Sequence, residues 1–89
     1  MADPHQQIRD ADEAARLLAH PLLKGAFEAL ERDYLAALLE CKDKDDIGRF
    51  RIVEAMKTIS AVKRHLSTLV DTGKLARRQV AELEGRRFL

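Results

Sequence analysis

The chain has 89 residues, of which 46% are apolar, 35% charged and 4% aromatic, and its formal net charge is +1. It holds no run of eighteen apolar residues, so no membrane span is expected. The Met1-Ala2-Asp3-Pro4 start lacks the basic and apolar regions of a secretory signal, and a single cysteine excludes a disulfide framework or a cysteine-based zinc site.

Residues 1–9 carry Pro4 and two Gln without periodicity and read as a flexible arm. One helical domain is expected over 10–85, followed by a tail, Arg86-Arg87-Phe88-Leu89. Asp10 and Glu13 form a capping-box pattern for a first helix over about 11–19. His20-Pro21 ends it, because proline disfavours the α region in the residue before it and suits the first turn of a new helix.

The second helix is expected over about 21–41. Leu23, Phe27, Leu30, Tyr34, Ala37 and Cys41 alternate in steps of four and three, as along a helix–helix seam. Gly25 lies in its first turns, where it weakens the helix and can admit a close neighbour. Lys42-Asp43-Lys44-Asp45-Asp46 is polar and supplies caps for a third helix over about 47–72. Ile52, Ala55, Met56, Ile59, Val62, Leu66, Leu69 and Val70 form its apolar stripe. Gly73 reads as a left-handed C-cap with Leu75 as its apolar contact, and a last short helix is expected over about 75–84, stopped by Gly85. The two long helices would measure about 32 and 39 Å at 1.5 Å per residue. Their short connection makes them an antiparallel pair. The expected fold is therefore all-α, a long antiparallel hairpin with short flanking helices at both ends.

Two features exceed a simple hairpin. Leu35, Leu39, Phe50 and Val53 fall off the internal stripe, so they need cover from a flanking helix or from another subunit. They are the candidate homo-oligomer interface, since chains this small bury only about 60% of their unfolded surface. The charge is also polarised. Residues 1–46 hold six Lys or Arg against eleven acids, a net of −5, and residues 47–89 hold ten against four, a net of +6. Arg49, Lys57 and Arg64 share a sector of about 80° opposite the apolar stripe, and Arg77 and Arg78 follow. These five are the candidate phosphate- or DNA-facing residues. The competing reading is mutual neutralisation of the two halves within or between subunits. Aromatic residues for stacking on single strands are lacking.

Other sites are weaker. From Asp43, the spacing places Asp45, Gly48 and Glu54 as in an EF-hand loop. Ile47, however, occupies a ligand position, and Arg49 and Arg51 add positive charge, so the segment reads as a capped turn. His5, His20 and His65 have no metal-ligand spacing, and Cys41 reads as a small buried hydrophobe on the seam. No catalytic residue, metal or cofactor is expected, and the chain does not read as an enzyme. A helix-turn-helix at His20-Pro21 would present Glu28, Glu31 and Asp33 to phosphate, a poor design for DNA recognition.

The runs Leu17-Leu18-Ala19-His20-Pro21-Leu22-Leu23, Phe27-Glu28-Ala29-Leu30-Glu31, Lys63-Arg64-His65-Leu66 and Thr72-Gly73-Lys74-Leu75-Ala76 resemble small helical proteins of tailed bacteriophages and gene transfer agents. Within that group the nearest picture is the small terminase subunit. The resemblance implies a ring of helical hairpins in the cytoplasm of a host cell. Such a ring holds double-stranded DNA and passes it to a large terminase subunit. The chain departs from the family pattern in lacking a clear N-terminal DNA-binding domain, which leaves at most nonspecific DNA contact. Two other readings stand beside this one. The first is a phage-encoded regulator or counter-defence module binding a host protein or a nucleotide. The second is a structural helical component of a virion.

Overall fold

The computed structural model describes residues 3–87 of the chain. Among these the protein is all-α, with α1 over Pro4–Ala19, α2 over Pro21–Glu40 and α3 over Asp46–Arg87. The 42 residues of α3 imply a length of about 63 Å, which matches the long dimension of a rod measuring 68 × 26 × 14 Å. α1 and α2 follow one another along α3, both antiparallel to it. The rod is thus a two-helix hairpin with one arm continuous and the other broken at His20-Pro21.

The breaks follow from local chemistry. His20 has extended backbone angles, as the residue before proline prefers, and its Nδ1 accepts a hydrogen bond from the Leu22 amide at 3.1 Å. Pro21 then occupies the first helical turn, where its missing N–H costs nothing. At the closed end, Asp45 caps α3, with Gly48 N–H donating to its carboxylate at 2.9 Å. Arg49 reaches back to donate to the carbonyls of Lys42 and Asp43 at 2.8 and 2.6 Å, tying down the turn.

Three boundaries differ from expectation. The arm over 1–9 is helical from Pro4 onward. Asp3 accepts a hydrogen bond from the His5 amide at 3.0 Å, and Pro4 takes the first helical position. The pattern is the one that starts α2 at His20-Pro21. Met1 and Ala2 lie outside the described residues. Second, α2 ends at Glu40, with Cys41 as its cap. Third, the segments over 47–72 and 75–84 are one helix. Gly73 does not take a left-handed conformation, and α3 runs past Gly85 to Arg87. Phe88 and Leu89 of the expected tail lie outside the described residues.

Gly73 stays helical because of what it faces. Leu66, Leu69, Gly73, Ala76 and Val80 are spaced 3, 4, 3, 4, an unbroken seam through the glycine. Opposite them α1 presents Gln7, Ala11, Ala14 and Leu18 at 4, 3, 4. Ala11, Ala14, Gly73 and Ala76 are buried, Ala76 to 1% exposure. A methyl group built on Gly73 would overlap Ala11 Cβ and stand 3.4 Å from the Gln7 carbonyl. The glycine is therefore a point of close helix approach. Gly25, expected to have that role, has nothing within 4 Å of such a methyl group.

The two halves of the rod differ in how tightly they close. α1 packs closely along α3, whereas α2 packs loosely and contains no buried residue. The physical reason is side-chain size. Small residues let α1 and α3 seal against each other, but Leu23, Phe27, Tyr34 and Leu38 on α2 are only half-buried. A single layer of two helices cannot surround side chains that large, since a fully buried one touches roughly 6–12 residues.

Candidate functional site

Among the described residues two ion pairs cross the rod, and they account for part of the charge polarity seen in the sequence. Arg77 on α3 donates to Asp12 on α1 at 2.7 and 3.0 Å. Lys63 on α3 donates to Glu31 on α2 at 2.8 Å and sits 5.9 Å from the centre of the Phe27 ring. The acidic N-terminal arm thus lies directly against basic α3. Lys63, not singled out from the sequence, is the side chain that ties α2 to α3 by an ion pair, beside the half-buried apolar contacts.

The five candidate phosphate-facing cations divide accordingly. Arg49 is engaged by the turn, where it also pairs with Asp46. Arg77 is engaged by Asp12. Neither presents a free guanidinium to an outside ligand. Lys57 is exposed, with a loose contact to Glu54 at 3.4 Å. Arg64 and Arg78 are exposed and meet no carboxylate among the described residues. Lys57, Arg64 and Arg78 fall within about 60° of each other around α3, facing away from α1 and α2. Asp71 and Glu82 fall in the same sector, so this outer face is mixed and only mildly basic.

The four candidate interface residues lie in the closed half of the rod. Leu35, Leu39 and Phe50 are exposed to 49, 78 and 65%, and Val53 is half-buried. α1 does not cover them, because it lies along the other half of α3. The Glu31–Lys63 pair shows which of them share a side. Moving around α2 from Glu31, Leu35 and Leu39 lie about 40° and 80° further on. Moving around α3 from Lys63 in the corresponding sense, Met56 and Val53 lie about 20° and 80° further on, and Phe50 about 140°. The helices are antiparallel and the ion pair marks one edge of their seam. Leu35, Leu39, Val53 and Met56 therefore line one flank, with Phe50 at its rim. Met56, read as part of the internal stripe, is half-buried like Ile52, Ala55 and Ile59 and sits at the stripe's edge toward this flank, whereas Val62 of the same stripe is exposed.

Side chains with catalytic or ligating potential are dispersed. Among the described residues, no three His, Cys, Asp or Glu side chains gather where they could hold a metal ion. Asp45, the second acid of the calcium-like spacing, is committed to capping α3, and its carboxylate fills the space beside Gly48. Cys41 is half-buried rather than buried. It stands at the end of α2, its thiol 3.7 Å from the Asp45 carbonyl. His65 is exposed, and His20 is a helix cap. A groove beside the helix break combines Lys24, Phe27, Glu28 and Lys63 without a nucleophile.

No helix among the described residues is long and apolar enough to cross a membrane. No known protein family matches the chain, and no curated protein or solved structure does either.

Proposed function

We propose that the chain is the subunit of a non-enzymatic, self-associating adaptor whose main working surface is protein-binding. The observation that carries this reading is the uncovered apolar surface of the closed half of the rod, centred on Leu35, Leu39 and Phe50. Large apolar patches on small helical chains mark interaction surfaces. The whole chain exposes 7276 Å², whereas a compact monomer of this size exposes about 5,300 Å².

The resemblance to small terminase subunits gives this adaptor a setting. In it, a homo-oligomer in the cytoplasm of a host cell holds double-stranded DNA for a large terminase subunit. Lys57, Arg64 and Arg78 are the residues free to touch phosphate. With Arg49 and Arg77 engaged inside the protein and Asp71 and Glu82 on the same face, DNA contact is nonspecific and weak.

Titrating duplex DNA across a salt series tests the DNA part. Three phosphate contacts per chain predict a log–log slope of about −3 per bound subunit. Lys57→Ala, Arg64→Ala and Arg78→Ala together are expected to flatten it, while Arg77→Ala leaves it unchanged. An oligomer that binds no DNA at low salt would remove DNA handling and leave a protein-only adaptor.

A further inference from the structure

We propose that the flank carrying Leu35, Leu39, Val53 and Met56 is a groove for an acidic amphipathic helix of a partner protein, about four turns long, which lies between α2 and α3 and completes a three-helix bundle. The inference rests on the reading of the chain as an adaptor with a protein-binding surface and names the partner of that surface. It does not depend on self-association.

Charge distinguishes this flank from the opposite one. Moving around α2 from Glu31 toward Leu35, Lys24, Glu28 and Arg32 lie about 20°, 60° and 100° further on. Moving around α3 from Lys63 toward Val53, Arg64 and Lys57 lie about 100° and 120° further on. The groove beside the helix break, lined by Lys24, Phe27, Glu28 and Lys63 together, places Lys24 and Glu28 on the same side. Arg49 is held by the turn, and Lys63 and Glu31 hold each other. The charges left on the flank are then four cations, Lys24, Arg32, Lys57 and Arg64, against Glu28. Lys24 and Arg64 meet no carboxylate among the described residues, and Arg32 and Lys57 make only long contacts, 3.8 Å to Asp33 and 3.4 Å to Glu54. The opposite flank exposes Leu30, Ile47 and Val62, with Asp33 balanced by Arg51. Both flanks are apolar, and only this one is also basic.

The layout of the flank selects a helix as its occupant. Both helices change from apolar to basic with distance from the turn. On α2, Leu39 and Leu35 give way to Arg32 and Lys24, and on α3, Phe50 and Val53 give way to Lys57 and Arg64. The occupant must therefore present apolar side chains at one end and carboxylates along both edges at the other. Phe50 to Arg64 spans about 21 Å, the length of about 14 helical residues, with apolar anchors at i, i+3 or i+4, and i+7. Leu35, Leu39 and Phe50, exposed to 49, 78 and 65%, need an apolar counterpart, which the phosphate backbone of a duplex lacks. Val53 and Met56 are half-buried between the helices, below the reach of a flat lipid surface. A second copy seated by this same flank would set like charge on like. An acidic helix turns the same cations into ion pairs along both edges, as e and g positions do in coiled coils.

The test pans a displayed library of helical peptides about 14 residues long against the full-length protein at low salt. The affinity of synthetic versions of the enriched peptides is then measured by fluorescence anisotropy. Enriched peptides are expected to be acidic and amphipathic, with their acids toward one end, and to bind more weakly as salt rises. Leu39→Glu is expected to weaken them at least about 30-fold, as loss of a central apolar anchor does. Arg32→Glu combined with Lys57→Glu is expected to weaken them at least about tenfold. Peptides with Lys in place of their acids should regain binding to that double variant, which a merely misfolded protein would not allow. Ile47→Glu, exposed on the opposite flank, is the control and should change little. Enrichment of neutral or basic peptides, or binding that Ile47→Glu abolishes and Leu39→Glu spares, would overturn the inference. So would a library that yields no binder, including the case in which Leu39-dependent binding to phosphatidylserine vesicles appears instead. Native mass spectrometry reads self-association separately. Copies that associate but enrich no acidic helix overturn this inference alone, and a monomer that enriches them overturns self-association alone.

Discussion

Gly25 and Gly73 are the same residue in the same kind of backbone, yet their substitution should have opposite effects. A methyl group at Gly25 meets nothing within 4 Å, so Gly25→Ala should raise stability by about 0.5–1 kcal/mol through helix propensity and lost chain entropy. At Gly73 the same methyl group overlaps Ala11 Cβ, which is fixed to the α1 backbone and cannot rotate away. The overpacking cost of about 1–3 kcal/mol exceeds the propensity gain, and Gly73→Ala should be destabilising. Urea denaturation of both variants, with protein concentration held fixed, checks the pair of signs. If Gly73→Ala is as stabilising as Gly25→Ala, the close packing of α1 on α3 is wrong. Arg77 gives a second residue-scale expectation. Its pair with Asp12 is about half exposed, and such surface pairs contribute about 0.2–1 kcal/mol, so Arg77→Ala should lower stability by no more than that.

The elements divide into a tight and a loose half. α1 seals against the C-terminal half of α3 through buried small residues, while α2 rests on α3 by half-buried side chains and the Lys63–Glu31 pair. Amide exchange should follow that division. In dilute protein, α1 and the segment of α3 around Gly73 and Ala76 should exchange most slowly, and α2 should exchange faster despite being the longer helix. At higher concentration α2 and the first turns of α3 should gain protection as copies associate, while the Gly73 region should not change. Uniform protection of α2 independent of concentration would contradict the open seam. The start of α1 has its own expectation. Asp3→Ala removes the carboxylate that accepts from the His5 amide and should cost about 1 kcal/mol of helix or protein stability, visible as faster exchange of the first turn.

At the scale of the whole molecule the shape is the main fact. The radius of gyration is 19.3 Å, against about 12 Å for a compact chain of this length. Two helices side by side have no third layer, so apolar residues on either flank face water unless another chain covers them. The excess surface, the loose α2 seam and the exposed leucines near the closed end are consequences of this one geometry. The proposed self-association would address all three, and its strength is expected to fall on cooling toward 0 °C, as burial of apolar surface does.

Local chemistry in the sequence determined the helical class, the turn at 42–46, the break at His20-Pro21 and the antiparallel pairing. Each depends on spacing or capping within a few residues. Asp3-Pro4 was equally legible as a helix start, since it repeats the chemistry of His20-Pro21. The 3, 4, 3, 4 steps from Leu66 to Val80 likewise carried the signal that α3 continues. What the tertiary structure adds is the reason a glycine is kept there. Glycine's cost of about 1 kcal/mol is outweighed there by packing against Ala11, a partner more than sixty residues away in the chain. The same holds for the cations and the leucines. Whether Arg49, Arg77 or Lys63 is free, and whether Leu35 or Leu39 is covered, depends on which distant helix lies alongside. Periodicity shows that a residue has a face, and the neighbour across that face decides its role.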